Sequence, residues 1–244
     1  MADMTDAFGR SLQAYLRGET AVHVIERDDG YFDEIDTAAY FREYGEWEGH
    51  EREAILEARG RVLDVGCGAG REALQLQEMG LDVVGIDLSP LSLEVSRQRG
   101  VRDCRLMDLR KLGFPDGCFD TVVMFGNNLG IAGDIEQCRR AFRGLHRVTG
   151  EDAIIIASSR NPLETDNLAH LSYHERNRRR GRPPGLVRIR IGFEGEFDDW
   201  FEFLMVGPEK LQELLETTGW VHERTYTSGG ANYTAILEKG RDNV

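Results

Sequence analysis

The sequence has no long apolar run and no excess of positive charge, with 30 lysines and arginines against 43 acidic residues. Its longest uninterrupted apolar stretch, residues 153–157, has five residues, whereas a helix that spans a bilayer needs about 20. The first ten residues lack the basic start and apolar stretch of a secretory signal. The formal net charge of −13 disfavours nonspecific binding to nucleic acid and to anionic lipid. These absences predict a cytoplasmic protein with no membrane partner, and they make a nucleic acid a disfavoured partner.

Cysteine is also scarce, with four residues in the 244-residue chain, at Cys67, Cys104, Cys118 and Cys138. No two of them have the spacing of a Cys-x-x-Cys pair, and no cluster of histidine and cysteine resembles a zinc site. We therefore expect reduced, mostly buried thiols and no metal site.

Between residues 61 and 159 the sequence alternates between strand-like and helix-like segments. "RVLDV", "LDVVGID", "VRDCRLMD", "FDTVVMFG" and "EDAIIIASS" are predicted strands, and amphipathic segments with helix caps such as Ser89 and Gly100 separate them. The apolar interiors of "TVVMF" and "AIIIA" suit a sheet covered on both faces. Repeated strand–helix units of this kind predict a Rossmann-like, doubly wound and mostly parallel sheet.

The flanking segments have a different pattern. Before residue 61, apolar spacing predicts a helix from Thr5, acting as its cap, to Arg17. A loop with short structure is expected at "IERDDGYFDEIDT", followed by two further helices in "AAYFREYGEW" and "EGHEREAILEARG", the second ending at Gly60. After Ser159 we expect a loop, a helix, antiparallel strands in "LVRIRIGF" and "EFDDWFEFLMV", a helix from Pro208, and a closing hairpin.

The chain length fits one domain, 1–244. We expect four parts within it: an N-terminal helical cap at 1–60, a core at 61–159, an insertion with further strands at 160–206, and a C-terminal helix and hairpin at 207–244.

Three alternating glycines, Gly66, Gly68 and Gly70, directly follow the first predicted strand of the core. Glycine permits backbone angles that other residues resist, and it leaves space for a ligand to lie against the chain. The dinucleotide fingerprint Gly-x-Gly-x-x-Gly is one explanation, but its third glycine would fall at position 71, where the chain has Arg71. That mismatch disfavours a nicotinamide-dependent enzyme.

Three carboxylates, Asp64, Asp87 and Asp108, fall at the ends of three consecutive predicted strands. Ligands bind at this edge in doubly wound sheets. Asp87 suits the paired hydroxyls of a ribose, and Asp108 suits an exocyclic amine such as that of adenine. The alternative is that each acid caps a helix or a turn, which is less plausible for three acids beside one glycine turn.

Together, "VLDVGCGAG", "VVGIDLSP", "MDL" and "FDTVVMFGNNLG" resemble the successive motifs of the class I S-adenosylmethionine-dependent methyltransferases. The resemblance covers residues 61–159 and, more loosely, the C-terminal hairpin. It implies a seven-stranded sheet whose last strand is antiparallel, and S-adenosylmethionine as the cofactor.

The resemblance also implies a set of cofactor contacts. Asp87 would hold the ribose and Asp108 the adenine amine, with the adenine ring between Leu88, Met107 and Leu109. The methionine part would lie against Asp64, Gly66, Cys67, Gly68 and Gly70. The methyl-transfer end would be lined by Phe125, Gly126 and Asn127.

The residues that face the methyl acceptor are less evident from the sequence. Asn127 and Asn128 suit an acceptor or the methionine carboxylate, although asparagine also satisfies the backbone of turns. Asn128 and His174 are the two candidate catalytic residues, the latter as a general base. The loop after the fourth strand lacks the Asn/Asp-Pro-Pro-aromatic pattern of enzymes that methylate base nitrogens, and no acidic metal set is present. These features favour a small-molecule acceptor.

Residues 173–190 carry seven arginines and one glutamate, a local charge of +6 (7 − 1). Arginine suits phosphate and RNA, but such a segment is also found where arginines pair with an acidic body.

Taken together, the sequence features predict methyl transfer to an N, O or C nucleophile of a small molecule, by a monomer or a homodimer. The alternatives are an S-adenosylmethionine-binding module without turnover, and an RNA or protein methyltransferase that uses the arginines at 176–190.

Overall fold

The computed structural model describes residues 5–240. The first helix, α1, spans Ala7–Leu16, and its cap is Asp6 rather than the predicted Thr5. The Asp6 carboxylate accepts hydrogen bonds from Gly9 N, Ser89 Oγ and Leu91 N, which holds the helix start against a second helix of the core. Thr5 instead donates its hydroxyl to the carbonyl of Phe197.

The predicted loop after α1 is a hairpin of two strands, β1 (Val22–Arg27) and β2 (Phe32–Asp36). Gly30, with φ of +84°, lies in the turn between them. The sequence did not predict β2 because its residues are mostly charged and exposed, so that backbone pairing rather than burial holds it in place. We expected the N-terminal part to be a helical cap, but it also contains this hairpin.

The two helices predicted next are shorter than expected. "AAYFREYGEW" forms two 3₁₀ turns, Thr37–Phe41 and Tyr44–Glu46, because Arg42 and Glu43 between them have extended backbone angles. The next helix, α2, spans Gly49–Ile55 and ends before the predicted stop at Gly60.

The core from residue 61 follows the predicted alternation. Strands have apolar interiors, and helices begin at capping residues such as Ser89 and Asp134. The elements, in chain order, are β3 (Arg61–Val65), α3 (Arg71–Glu78), β4 (Asp82–Asp87), α4 (Pro90–Arg99), β5 (Cys104–Leu106), β6 (Phe119–Met124), α5 (Ile135–Val148) and β7 (Thr149–Arg160).

The remaining chain also has the predicted helices and antiparallel strands. These are α6 (Leu168–Arg179), β8 (Leu186–Phe193), β9 (Glu196–Phe197), β10 (Phe201–Leu204), α7 (Pro208–Leu215), β11 (Trp220–Thr227) and β12 (Asn232–Lys239).

Seven strands form one sheet in the order β11-β12-β7-β6-β3-β4-β5. Strands β3 to β7 run parallel, and β12 is antiparallel to both of its neighbours. Apolar side chains from α5 and α7 cover one face of this sheet, and those from α2, α3 and α4 cover the other. The predicted Rossmann-like sheet with an antiparallel last strand is confirmed.

A second sheet was not predicted. Its strands lie in the order β10-β8-β1-β2, and β9 pairs with β8. It joins the N-terminal hairpin to the segment after the core, because β1 pairs with β8 in the register Ile25↔Ile191. Within residues 5–240, no helix is both long and apolar enough to cross a membrane.

Candidate active site

A cavity of about 760 Å³ lies between the two sheets. We call its lower wall, the loops at 65–69, 86–88, 107–110 and 125–128 at the carboxyl edge of the seven-stranded sheet, the floor. We call the five-stranded sheet together with α6 the roof. Both walls line one continuous space, whose volume lies in the usual range for small-ligand sites.

The glycine turn of the floor is held from behind and open toward the cavity. Gly66 and Cys67 donate their N–H groups to the carbonyl of Ile86 at 2.8 and 3.1 Å. Gly66 has φ of +73°, and a Cβ there would lie 2.5 Å from the Asn128 Nδ2 atom. Gly68 has φ of +50°, but the atom nearest to its missing Cβ is 3.9 Å away. A ligand can therefore lie directly against the backbone at Gly68.

Asp87, at the end of β4, lies beside this turn. Its carboxylate accepts hydrogen bonds from Gly68 N and Ser89 N, both at 2.9 Å. A carboxylate has about four lone-pair sites, so two of them remain for hydroxyl groups of a ligand. Burial raises the pKa of Asp87 above its usual range.

Two of the predicted cofactor residues do not line the cavity. Asp64 lies behind the turn, 2 % exposed, and its Oδ2 atom has no hydrogen-bond partner in the described residues. Burial, followed by the charges of Glu72 and Asp87, raises the pKa of Asp64 well above its usual value. Gly70 is the N-cap of α3 and packs against Val101. Both residues lie behind the cavity wall, where they affect its shape and charge without facing the cavity.

Asp108 and three apolar residues form one end of the floor. The Asp108 carboxylate accepts from Arg110 N at 2.8 Å and from the Arg110 guanidinium, which lowers the pKa of Asp108. It thus caps a 3₁₀ turn, as the alternative interpretation proposed, and it also lines the cavity. Leu88, Met107 and Leu109 also line the cavity and give this part of the floor an apolar surface.

The loop after β6 brings Phe125, Gly126, Asn127 and Asn128 to the cavity wall. Gly126 and Asn127 both have left-handed backbone angles, with φ of +69° and +66°, and Asn127 N donates to Ser158 Oγ at 3.0 Å. The Asn128 amide donates to the carbonyls of Val65 and Gly66. The amide nitrogen of Asn128 is therefore committed to holding the glycine turn, which makes it a positioning group.

One charged cluster that lines the cavity beside the floor was missed by the sequence analysis. The Arg71 guanidinium contacts Glu51 at 2.9 Å, also pairs with Glu72, and lies 4.6 Å from the centre of the Trp47 ring. Burial raises the pKa of Glu51; burial alone would lower that of Arg71, but the two carboxylates raise it. The sequence signal that could have revealed this cluster is Arg71, a charged residue at the position where the dinucleotide fingerprint has its third glycine. The cluster has two acids and one base, so this part of the cavity favours a cation.

The roof side of the cavity is largely apolar, although Arg27 and Asp33 also line it, and it was missed as well. Side chains from four strands share this face, and they are Ile25, Ile35, Val187, Ile189, Ile191, Phe201 and Phe203. The strands alternate residues that face the cavity with residues that face away, as a sheet requires. This wall therefore offers contact area for an apolar ligand.

His174, the candidate general base, is buried in α6 and lines the cavity. It is 4 % exposed, and its Nδ1 atom has no hydrogen-bond partner among the described residues. Burial, then the charges of Arg178, His170 and Arg27, lower the pKa of His174. His170, one helical turn earlier, lines the same space and contacts Thr165 Oγ1 through Nδ1 at 3.2 Å.

Most arginines of the 173–190 segment pair with carboxylates. The pairs are Arg176–Asp28, Arg178–Glu175, Arg179–Glu175, Arg182–Glu202 and Arg190–Glu26. Arg188 lies over the ring of Trp200. These contacts match the interpretation in which the segment neutralises an acidic body.

Cysteine and metal-ligand geometry add little to this site. The four cysteines are free, and Cys67, whose thiol pKa is raised by burial, lines the cavity. Across residues 5–240, no group of three or more His, Cys, Asp or Glu side chains is placed to hold a metal ion.

Comparison with known proteins agrees with this geometry. Residues 62–152 match the family model of a methyltransferase domain. The crystal structure of an S-adenosylmethionine-dependent methyltransferase from Bacteroides fragilis, in complex with S-adenosyl-L-homocysteine, superposes with a TM-score of 0.81 at 29 % identity, over 97 % of this chain and 95 % of that one.

Two curated relatives match over shorter stretches. The putative methyltransferase YqeM of Bacillus subtilis is 30 % identical over 51 % of each chain. The cypemycin N-terminal methyltransferase of a Streptomyces species is 38 % identical over 35 % of this chain and 36 % of its own. The matched part of the chain thus spans about half the length of YqeM and about a third of the length of the cypemycin methyltransferase.

The fold and the floor are those of a Rossmann-like nucleotide-binding domain. Together with the comparisons they identify residues 62–152 as a methyltransferase domain of the class I, S-adenosylmethionine-dependent type, with S-adenosylmethionine as its cofactor.

Proposed function

We propose that the protein transfers the methyl group of S-adenosylmethionine to an N, O or C nucleophile of a small molecule bound between floor and roof. The observation that carries this proposal is the continuity of the cavity, which runs from Gly68 and Asp87 to the apolar roof within about 760 Å³. One space of this size suits a cofactor and a small acceptor in contact with each other.

Several features of the floor match the chemical groups of S-adenosylmethionine. Gly68 leaves open space where a side chain would block a ligand, and Asp87 keeps lone pairs for two ribose hydroxyls. The sulfonium and amino groups of the cofactor are cationic. The surplus of carboxylates around Arg71 therefore favours them electrostatically.

We assign roles to the predicted cofactor residues on the same basis. Asp87 would hold the ribose, and Leu88, Met107 and Leu109 would enclose the adenine, with Asp108 at its edge. Gly66, Cys67 and Gly68 would contact the methionine part, with Asp64 and Gly70 supporting them from behind. Phe125, Gly126 and Asn127 would line the methyl-transfer end.

The bound cofactor supplies an activated methyl group, so the remaining work of the protein is alignment and exclusion of water. The roof does both, because its apolar face closes over the carboxyl edge of the sheet. The core at 61–159 would bind the cofactor and the strands within 160–206, with the N-terminal hairpin, would bind the acceptor.

Two measurements test this function in sequence. Calorimetry should show S-adenosylmethionine binding, and S-adenosylhomocysteine should then form when the protein is mixed with a metabolite extract. Binding without product from any extract would favour the non-catalytic module. Salt-dependent RNA binding would favour the alternative based on the arginine segment.

A further inference from the structure

Two buried carboxylates interact with the charge of Arg71, and only one of them lines the cavity. Asp64, on β3, is 2 % exposed and does not line the cavity. Glu51, on α2, lines the cavity, and 8 % of its side-chain surface stays exposed. A ligand in the cavity can therefore meet the carboxylate of Glu51, whereas the side chain of Asp64 lies behind the wall.

The Glu51 carboxylate keeps hydrogen-bonding capacity for a ligand. Its Oε2 atom accepts a hydrogen bond from Arg71 at 2.9 Å, and the backbone N–H of Gly126 also stabilises its charge. Because a carboxylate has about four lone-pair sites, about two remain once these donors are counted. A buried acceptor of this kind favours a ligand that carries a hydrogen-bond donor.

The guanidinium of Arg71 is not available to bind an anion, because it is committed to two carboxylates. It donates to Glu51 and, through Nε, to Glu72 at 2.6 Å. It also lies 4.6 Å from the centre of the Trp47 ring. These contacts tie α2 to the first turn of α3 and orient the Glu51 side chain. Arg71 is therefore a positioning residue.

The charge on this side of the cavity selects a cation. The lining residues that α2 and α3 contribute here are three acids, Glu48, Glu51 and Glu72, and one base, Arg71. Arg99 also interacts with Glu72, but it does not line the cavity. Even with Arg99 included, the carboxylates outnumber the cations. An ammonium group bound here would restore the balance.

Glu51 also lies between the two parts of the wall that we assign to the methionine end of the cofactor and to methyl transfer. Through Arg71 it is bonded to the start of α3, directly after the glycine turn. Its interaction with the N–H of Gly126 places it beside the loop after β6. In S-adenosylmethionine, a short carbon chain joins the sulfonium to the α-ammonium group. A carboxylate between the two parts of the wall is therefore in reach of that ammonium group.

We infer that Glu51 holds the α-ammonium group of S-adenosylmethionine by a charge-assisted hydrogen bond, and that Asp64 does not. This rests on the proposed function. Asp64 supports the glycine turn from behind, and Arg71 orients Glu51 rather than binding the carboxylate of the cofactor. The ammonium group is thus the part of the amino-acid moiety that contributes most to the affinity.

The first experiment compares S-adenosylhomocysteine with two analogues, one without its amino group and one without its carboxylate. Calorimetry on the wild type measures the three affinities. We expect the deamino analogue to bind about 30-fold more weakly than S-adenosylhomocysteine, because a hydrogen bond to a charged acceptor is lost. The decarboxylated analogue should stay within about threefold, since Arg71 is committed to Glu51 and Glu72.

The variants Glu51→Gln and Glu48→Gln identify the residue responsible. Glu51→Gln keeps the size of the side chain and removes its charge, so S-adenosylhomocysteine should bind about 30-fold more weakly and the deamino analogue as before. Unchanged binding of the deamino analogue also shows that the variant folds. Glu48→Gln removes an exposed carboxylate that lines the same cavity, and as the matched control it should keep the 30-fold preference.

Two further variants address a misfolded Glu51→Gln protein and the alternative acid. Glu51→Asp retains the charge and should retain at least about a fivefold preference for S-adenosylhomocysteine over the deamino analogue. Asp64→Asn should change both affinities by the same factor, because the side chain of Asp64 does not line the cavity.

Equal binding of S-adenosylhomocysteine and the deamino analogue by the wild type would overturn the inference. So would a preference that survives in Glu51→Gln or disappears in Asp64→Asn, or a larger loss for the decarboxylated analogue than for the deamino analogue. If S-adenosylhomocysteine itself did not bind to the wild type, the proposed function would fail instead, so the two failures are distinguishable.

Discussion

The floor and the roof meet at one cavity, but the chain builds them in different ways. The floor comes from one continuous stretch, in which each contact joins loops that follow neighbouring parallel strands. An example is the hydrogen bond from Gly68 N to Asp87, 19 residues apart. The roof pairs β1 with β8, so that Ile25 lies opposite Ile191. The floor is therefore encoded locally, and the roof exists only after distant segments meet.

This difference suggests that the floor and the roof have separate binding functions. A locally encoded floor presents the same backbone shape and carboxylates to one cofactor. A roof made of side chains from separate segments can change its apolar lining without disturbing Asp87 or the glycine turn. Variants of the floor should change cofactor affinity, and variants of the roof should change acceptor affinity alone.

The largest effect is expected for Asp87→Ala in the floor. Losing charge-assisted hydrogen bonds to two ribose hydroxyls should weaken S-adenosylmethionine binding by about 100-fold or more, at about 1.5–3 kcal/mol for each bond to a charged group. Calorimetry measures the affinity, and circular dichroism checks the fold. Asp82→Ala is the matched control, because Asp82 lies on the same strand but is exposed and paired with Arg61. If Asp87→Ala bound S-adenosylmethionine as tightly as the wild type does, the floor would not be the cofactor site.

The pattern of Gly66, Gly68 and Asp87 predicted the floor because short-range chemistry dictates it: a strand, a turn that needs glycine, and an acid at the next strand end. The roof was not predictable in the same way. Strand β2, "FDEID", has the charged composition of a loop, and only its pairing with β1 makes it a strand. Likewise, nothing near His174 in the sequence shows that this residue will be buried. Thr5 was predicted as the cap of α1 in place of Asp6, because the sequence does not show that Ser89 donates a hydrogen bond to Asp6.

The second prediction concerns the stability of the roof at acid pH. Burial lowers the pKa of His23, on β1, to about 4 from 6.5 in the unfolded chain. Between these values the unfolded chain binds a proton at His23 that the folded protein does not, so stability falls as the pH drops from about 6.5 towards 4. At pH 5 this loss is about 2 kcal/mol. Replacement by phenylalanine abolishes it.

Urea unfolding of the wild type and of His23→Phe at pH 7 and pH 5 measures this loss. The difference in unfolding free energy between the two proteins should shift by about 2 kcal/mol in favour of the variant at pH 5. Thr37→Val is the control, since it removes the hydroxyl next to His23 but keeps the buried imidazole, and it should destabilise equally at both pH values. A constant difference between wild type and His23→Phe would contradict the prediction.

The third prediction separates ligand contact from backbone strain in the floor. Gly68 and Gly80 both have positive φ, and neither has an atom closer than 3.9 Å to the position of its missing Cβ. Alanine at either site should cost about 1 kcal/mol of stability, because non-glycine residues resist this conformation. Only Gly68→Ala should weaken S-adenosylmethionine binding, by at least tenfold, because its methyl group occupies space facing the cavity. Equal affinities in the two variants would show that the cofactor does not lie against Gly68.

The smallest effect tests the roof directly. Phe203, on β10, lines the cavity and is half-buried. Phe203→Ala removes apolar contact area worth about 1 kcal/mol at roughly 25 cal/mol for each Å², so a small apolar probe such as 4-propylphenol should bind to the cavity about fivefold more weakly. The affinity for S-adenosylmethionine should stay unchanged, which calorimetry on the same sample measures. Leu171→Ala, on the exposed surface of α6, is the control. If Phe203→Ala weakened cofactor binding as much as probe binding, floor and roof would be one recognition surface rather than two.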